Sequence, residues 1–251
     1  MPPMLSEEAL QRALAAAGLS APVRWDEVTG STNETAMRLA AQGAPAWTLV
    51  AAGHQTAGRG RGERVWSDRP GHALLFSVVV RPALEPEQLG LVALAAGAAM
   101  ADAAAELSGE DVRCKWPNDL LRSGSKVGGI LGEAVVSDDG VRHAVVGVGV
   151  NLEPPPDVAD AAGIGDVDPE ALLTAFLVRF RVLLDGDPAG VIDGWRARSA
   201  TLGRRVEATV TGGDSVRGVA ADLDERGGLV VLTDDGPTTI TFGDVRHVNQ
   251  G

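Results

Sequence analysis

Residues 112–151 read VRCKWPNDLLRSGSKVGGILGEAVVSDDGVRHAVVGVGVN. Three short apolar runs lie in this stretch, at 112–116, 127–136 and 143–150, separated by turn residues, and they predict consecutive strands. Pro117 cannot continue a central ladder, so Asn118 and Asp119 are expected at a sheet edge. Gly128 and Gly129 open the second run, where absent side chains let a ligand lie against the backbone; glycines that merely relieve crowding are the plain structural alternative. Lys126 stands at the entrance to that run. The third run ends in Asn151, an amide that on its own is as much a turn former as a ligand contact.

Working upstream, 73–81 (ALLFSVVVR) is nearly continuously apolar and reads as a strand buried on both faces. Residues 85–107 are alanine-rich and helical. Strands are expected at 47–52 and 23–28, and helices at 34–42 and 6–17, the latter with Ser6 as N-cap and Gly18 as stop. Downstream, 153–169 holds Pro154-Pro155-Pro156 and reads as a surface loop, followed by helices at 169–184 and 192–200. From Leu202 short alternating strands are punctuated by Gly212-Gly213, Gly227-Gly228 and Asp235-Gly236, the pattern of an antiparallel barrel of about fifty residues. The expectation is an α+β chain: a mixed sheet with helices over 1–200 and a small β-barrel over 201–251.

Composition narrows the partners. The 251 residues carry 34 acidic and 22 basic side chains, a net charge of −12, which opposes any general coating of DNA or RNA. One cysteine, Cys114, excludes a disulfide framework and a cysteine-built zinc site. The histidines His54, His72, His143 and His247 show no metal-ligand spacing. Neither a charge-free apolar run of about 18 residues nor a basic-then-apolar leader is present, so a soluble cytoplasmic protein without membrane contact is expected. Twenty of the 22 basic residues are arginine. The two lysines, Lys115 and Lys126, lie close together, and a compact ammonium is not interchangeable with a planar guanidinium.

A second stretch concentrates charge: Gln55-Thr56-Ala57-Gly58-Arg59-Gly60-Arg61-Gly62-Glu63-Arg64-Val65-Trp66. Its glycines permit close backbone approach, and its three arginines can clamp phosphate or carboxylate oxygens. In an acidic chain such a focus favours a small anion over a polymer, although a solvated basic loop has the same composition.

Gly30-Ser31-Thr32-Asn33, the 55–66 stretch, Lys115-Trp116-Pro117-Asn118-Asp119, 126–133 and 147–151 occur in one order with fitting spacings. As a set they resemble the biotin–protein ligases, over nearly the whole chain from Trp25. The resemblance implies a catalytic domain related to class II aminoacyl-tRNA synthetases and a C-terminal SH3-like barrel. It implies activation of biotin by ATP and Mg²⁺ to biotinyl-5′-AMP, then transfer to a lysine of the biotin carboxyl carrier domain of acetyl-CoA or acyl-CoA carboxylase. Matched by motif, Ser31, Thr32, Asn33 and Gln55 bind the biotin head group, with Gly58, Gly60, Gly128 and Gly129 beside it. Arg59 and Arg61 line the loop that closes over the ligand, and Lys126 bridges the biotin carboxylate and the α-phosphate. Arg64, Trp66, Lys115, Asn118 and Asn151 serve the nucleotide side.

Lys126, Arg59 and Asp119 are the expected catalytic residues, with Asp119 deprotonating the acceptor lysine. Mg²⁺ is expected to arrive on ATP rather than on dedicated protein ligands. Glu63 departs from relatives that carry glycine or a basic residue there. The residues before Trp25 are too few for the winged helix that makes some relatives repressors, so no DNA partner is expected. A monomer or weak homodimer is expected. A lipoate or octanoate ligase of the same fold and a non-catalytic biotin sensor are the rival readings.

Overall fold

The computed structural model describes residues 5–138, 140–156, 158–210 and 215–248. Seven strands, β1 (Val23–Asp26), β2 (Leu49–Ala52), β3 (Ala73–Val80), β4 (Val112–Lys115), β5 (Asp119–Arg122), β6 (Ser125–Ser137) and β7 (Gly140–Asn151), form one sheet. Their order is β1-β2-β3-β7-β6-β5-β4. Only β1 and β2 run parallel; every other neighbouring pair is antiparallel. Helices α1 (Glu7–Ala16), α3 (Gly90–Ser108), α4 (Pro169–Asp185) and α5 (Pro188–Ala197) build the main core on one face of this sheet. Helix α2 (Thr32–Ala41) packs alone on the other face, over Val50, Val79 and Val145.

The alternation of β3 explains why it reads as continuously apolar. Leu74, Phe76, Val78 and Val80 enter the main core, and Val79 enters the small core under α2. Ser77 is the polar exception on that second face, fully buried. Helix α3 is alanine at nine of its 19 positions, and small side chains let it lie close to the sheet. The segment Pro86–Ser108 is long and apolar enough to cross a membrane, and 67% of its most apolar window is buried inside this molecule. Helices α4 and α5 start on acidic caps, with Asp168 and Asp187 each accepting a backbone N–H from the first turn.

Five strands, β8 (Arg205–Val210), β9 (Ser215–Leu223), β10 (Leu229–Thr233), β11 (Gly236–Ile240) and β12 (Gly243–His247), make a second, wholly antiparallel sheet in the order β11-β10-β9-β8-β12. Gly212 and Gly213, two of the expected turn glycines, lie outside the described residues. This sheet is tied to the first: the Trp116 indole N–H donates to the Gly227 carbonyl at 3.1 Å, and the Trp116 backbone N–H donates to Thr201 at 3.0 Å. Arg196 on α5 holds Asp222 on β9 through two hydrogen bonds of 2.7 and 2.9 Å.

Two expectations need correcting. Asp119 does not sit at a sheet edge. It opens β5, a four-residue strand that the sequence pattern missed, and β4 outside it forms the edge. Pro117 lies in the turn between β4 and β5, where no ladder bond is required of it. Helix α2 begins at Thr32 rather than at 34, so Thr32 and Asn33 stand in its first turn.

Candidate active site

A cleft opens on the α2 face of the large sheet. Strand alternation decides what lines it. Ser77, Gly147 and Glu133 share this face, as do Gly129, Gly149 and Asp119, because the register pairs Ser77 with Gly147, Gly129 with Gly149, and Asp119 with Gly129. Lys126 belongs here only because of an irregularity. It stands three positions before Gly129, an odd offset that in a regular strand sends the two side chains to opposite faces. The register shifts between Leu120 and Leu121: Leu120 pairs with Gly128 and Leu121 with Lys126, leaving Val127 as an extra residue. That bulge buries Val127 completely and turns Lys126 onto the cleft.

Asp119 is the meeting point of both lysines. The Lys126 ammonium lies 2.5 Å from one carboxylate oxygen and that of Lys115 lies 3.8 Å from the other. The Asp119 side chain is 18% exposed, so the three groups form a partly desolvated cation–carboxylate–cation cluster. Lys126 also stands 5.9 Å from the Trp66 ring centroid.

The glycines of β6 and β7 make room for Trp66. A Cβ on Gly149 would lie 2.7 Å from two indole atoms, and one on Gly129 would lie 3.4 Å from the same ring. The indole therefore rests on bare backbone, its N–H buried without a partner among the described residues. Gly147 does the same for Asn33, whose amide oxygen would be 2.1 Å from an added Cβ.

The arginine stretch is a miniature hairpin. Gly60 donates to the Arg64 carbonyl at 2.7 Å, Trp66 donates to the Gly58 carbonyl at 2.9 Å, and Arg59 bridges Val65. Its three guanidinium groups are each held by carboxylates outside the hairpin. Arg59 binds Glu133 on β6 through two bonds of 2.7 and 3.1 Å. Arg64 meets Asp244 on β12 at 2.5 Å, while Arg61 donates to the Gly243 carbonyl at 3.1 Å and lies 3.4 Å from Asp244. Burial lowers the Arg61 pKa from its ordinary value, partly offset by Asp244.

At the opposite end, α2 presents its N-terminus to the cleft. The Thr32 backbone N–H and hydroxyl both reach the Gln55 side-chain oxygen, at 2.8 and 3.2 Å. Ser31, the N-cap, spends no side-chain bond on capping. Aligned N–H groups there favour a polar or anionic partner.

The structure thus brings Ser31, Thr32, Asn33, Gln55, Arg59, Gly60, Arg61, Arg64, Trp66, Asn118, Asp119, Lys126 and Gly129 to one cleft. Gly58 supports the hairpin from below, and Gly128 faces the opposite side of β6 from Gly129. Lys115 reaches the cleft through Asp119. Asn151 lies one alternation beyond Gly149 on β7, outside the cleft's lining. Its amide donates to the Ala162 carbonyl at 3.3 Å, and its oxygen is buried without a partner among the described residues. Asn118 lines the cleft but donates to the Ile130 carbonyl at 2.8 Å. Sequence reasoning missed Ser77 and Asp244. A serine inside an apolar strand was the available signal for the first; nothing local marks the second.

A mixed sheet, a cationic hairpin beside a cleft and a lysine delivered by a bulge make a site suited to a small anionic ligand. Residues 25–151 match the biotin/lipoate A/B protein ligase family, and residues 201–248 match the biotin protein ligase C-terminal domain. The chain is 35% identical to a biotin–[acetyl-CoA-carboxylase] ligase of Mycobacterium tuberculosis, over 98% of this chain and 97% of the relative. It is 36% identical to the Paracoccus denitrificans enzyme of the same name, over 86% and 97%. A solved biotin protein ligase from Aquifex aeolicus, in complex with biotin and ATP, superposes with a TM-score of 0.74 at 27% identity, covering 90% of this chain and 99% of that one. The chain belongs to the biotin protein ligase family.

Proposed function

We propose that the protein is an ATP-dependent biotin–[acetyl-CoA-carboxylase] ligase. The carboxylate oxygen of biotin attacks the α-phosphorus of ATP, forming biotinyl-5′-AMP and expelling pyrophosphate. The amine of an acceptor lysine then attacks the acyl carbon, forming an amide and releasing AMP. The observation that carries this reading is the cluster at Asp119, where Lys126 inside the cleft and Lys115 behind it meet one carboxylate beneath the arginine hairpin.

The first step joins two anions, so positive charge must already be in place. Lys126 is assigned to bridge the biotin carboxylate and the α-phosphate, with Arg61 and Arg64 drawn from Asp244 toward the nucleotide as the hairpin closes. Thr32 and Gln55 present a directed donor and acceptor pair suited to a ureido ring, flanked by Ser31 and Asn33. Trp66, Asn118 and Asn151 are assigned to the adenylate side, with the buried Asn151 oxygen awaiting a donor. Asp119 is paired with Lys126 in the unliganded cleft, and ligand anions that take up Lys126 release it to accept the proton of the acceptor amine. Closure of the hairpin shields a hydrolysable anhydride from water.

Mg²⁺, when bound, supplies charge compensation on the triphosphate. Among the described residues no group of three or more His, Cys, Asp or Glu side chains stands together as a ready cage. The acceptor is assigned to the biotin carboxyl carrier domain of a carboxylase. The test is to incubate the chain with biotin, MgATP and an isolated carrier domain, measuring pyrophosphate and the mass of the domain. Stoichiometric pyrophosphate and a single biotinylated lysine are expected. Equal turnover with lipoate in place of biotin, or no pyrophosphate at all, refutes the reading.

A further inference from the structure

One hydrogen-bonded chain runs beneath the cleft from one end to the other. Gln55 accepts from the Thr32 backbone N–H at 2.8 Å, and the Thr32 hydroxyl, with one proton to give, spends it on the Ser77 oxygen 2.8 Å away rather than on Gln55 at 3.2 Å. Ser77 donates to the Asn33 side-chain oxygen at 2.6 Å, and the Asn33 amide donates to Glu133 at 3.0 Å. Glu133 then holds Arg59 through two bonds. Gln55 and Arg59 are four residues apart in the same loop, so the chain leaves the base of the loop, passes through α2, β3 and β6, and returns to the first strand of the hairpin.

Its interior members are buried: Ser77 is 0% exposed, Asn33 3% and Thr32 4%. A buried polar network whose members are all partnered is rigid, because each group left unpaired is penalised. Glu133 is its only charged interior link, 24% exposed at the side chain, and it occupies both of its oxygens with Arg59 and one of them with Asn33 as well. A guanidinium held in this bidentate way is already neutralised. Arg59 therefore differs from Arg61 and Arg64, whose partner Asp244 is an exposed group on another sheet.

We infer that Glu133 is a positioning residue: it clasps Arg59 to β6 and couples the head-group end of the cleft, through Asn33, to the position of the arginine hairpin. Arg59 then acts through this clasp rather than by touching the ligand. Its consequence for the adenylate rests on the ligase reading; the clasp itself does not.

The test uses Glu133→Gln, Arg59→Gln and the double variant in the full chain, with Ser77→Ala as a probe of the buried relay. Glu133→Gln keeps one oxygen for Asn33 and removes the ion pair. In the protein without ligand, tryptic cleavage after Arg61 or Arg64 is expected to rise about tenfold in Glu133→Gln and Arg59→Gln. The double variant should be cut no faster than either single one. With biotin and MgATP, Glu133→Gln should raise KM for biotin and the fraction of adenylate lost to solution about tenfold, with kcat for pyrophosphate release within threefold of the parent. Ser77→Ala is expected to shift biotin KM in the same direction. Cleavage at the parental rate in Glu133→Gln overturns the clasp, as does an additive double variant, which would mean that Arg59 is held by something other than Glu133. Absence of pyrophosphate from the parent chain would instead defeat the ligase reading, and the cleavage rates would still decide the clasp.

Discussion

Gly149→Ala is the sharpest perturbation that the structure offers. The new methyl would sit 2.7 Å from two atoms of the Trp66 indole. Ordinary carbon–carbon contact requires the ring to retreat by roughly 1 Å. In a closed core such overpacking costs about 1–3 kcal/mol. Trp66 borders an open cleft, however, so the indole can move outward, and a loss near the lower end, about 1 kcal/mol, is expected. That corresponds to a fall of about 2–4 °C in Tm for a chain of this size. The functional effect should be larger, because Trp66 is bonded through its backbone to Gly58 and its displacement lifts the root of the arginine hairpin. Misplacing a site by about 1 Å costs on the order of 100-fold in rate. Pyrophosphate release with biotin and MgATP, alongside a thermal melt, measures both quantities. Gly132→Ala is the control: its nearest neighbour would be the Ala93 methyl at 3.6 Å, an ordinary contact, and both readouts should stay near parental values. A Gly149→Ala protein with kcat/KM within twofold of the parent would refute the assignment of the indole to the site. A collapse in Tm beyond 10 °C would refute the claim that the ring can yield.

Further expectations concern the charged cluster and pH. Lys126→Ala should reduce kcat for pyrophosphate release about 100- to 1000-fold, and Tm should hardly change, because the pair with Asp119 is part-exposed and such pairs contribute about 1 kcal/mol or less. Asp119→Asn should slow transfer from pre-formed adenylate about 100-fold or more, with adenylation within tenfold; equal losses in single-turnover measurements of the two steps would contradict that division. Burial lowers the pKa of His143, aided by Arg81 and Arg142, and that of His247, aided by Lys115 and Arg204. The unfolded chain then holds more protons in the window below the ordinary histidine value of about 6.5, so stability is full above that pH and falls as pH drops through the window. Replacing both rings by asparagine should flatten the Tm-against-pH profile there; an unchanged slope would assign the acid sensitivity to other groups.

The legible part of the fold is the part set by local pattern. The apolar run at 73–81 is a strand because both of its faces are covered, and the alanine-rich run after Glu85 is a helix because its small side chains pack against the sheet. Strand β5 was missed because four residues, two of them leucine, carry no periodicity that separates them from a turn. The site was legible as motifs: basic loop, paired glycines and isolated lysines all stand in the sequence, and Arg59, Arg61, Arg64, Gly129 and Lys126 of them line one cleft. Their mutual arrangement was not. Asp244 lies 180 residues beyond Arg64 and meets it only because β12 closes the second sheet against the hairpin.

The sequence by itself determined that two lysines would stand out among twenty arginines, and that glycine-bared strands would lie beside a basic loop. It also determined, through the order of its motifs, the family to which they belong. Which face Lys126 occupies was decided by tertiary structure alone. Spacing in a regular strand puts it opposite Gly129, in the core. Pairing with β5 forces the extra residue Val127 into the ladder and turns the ammonium to Asp119 instead. Side-chain direction in a strand follows from register, and register is a property of the partner strand as much as of the residues themselves.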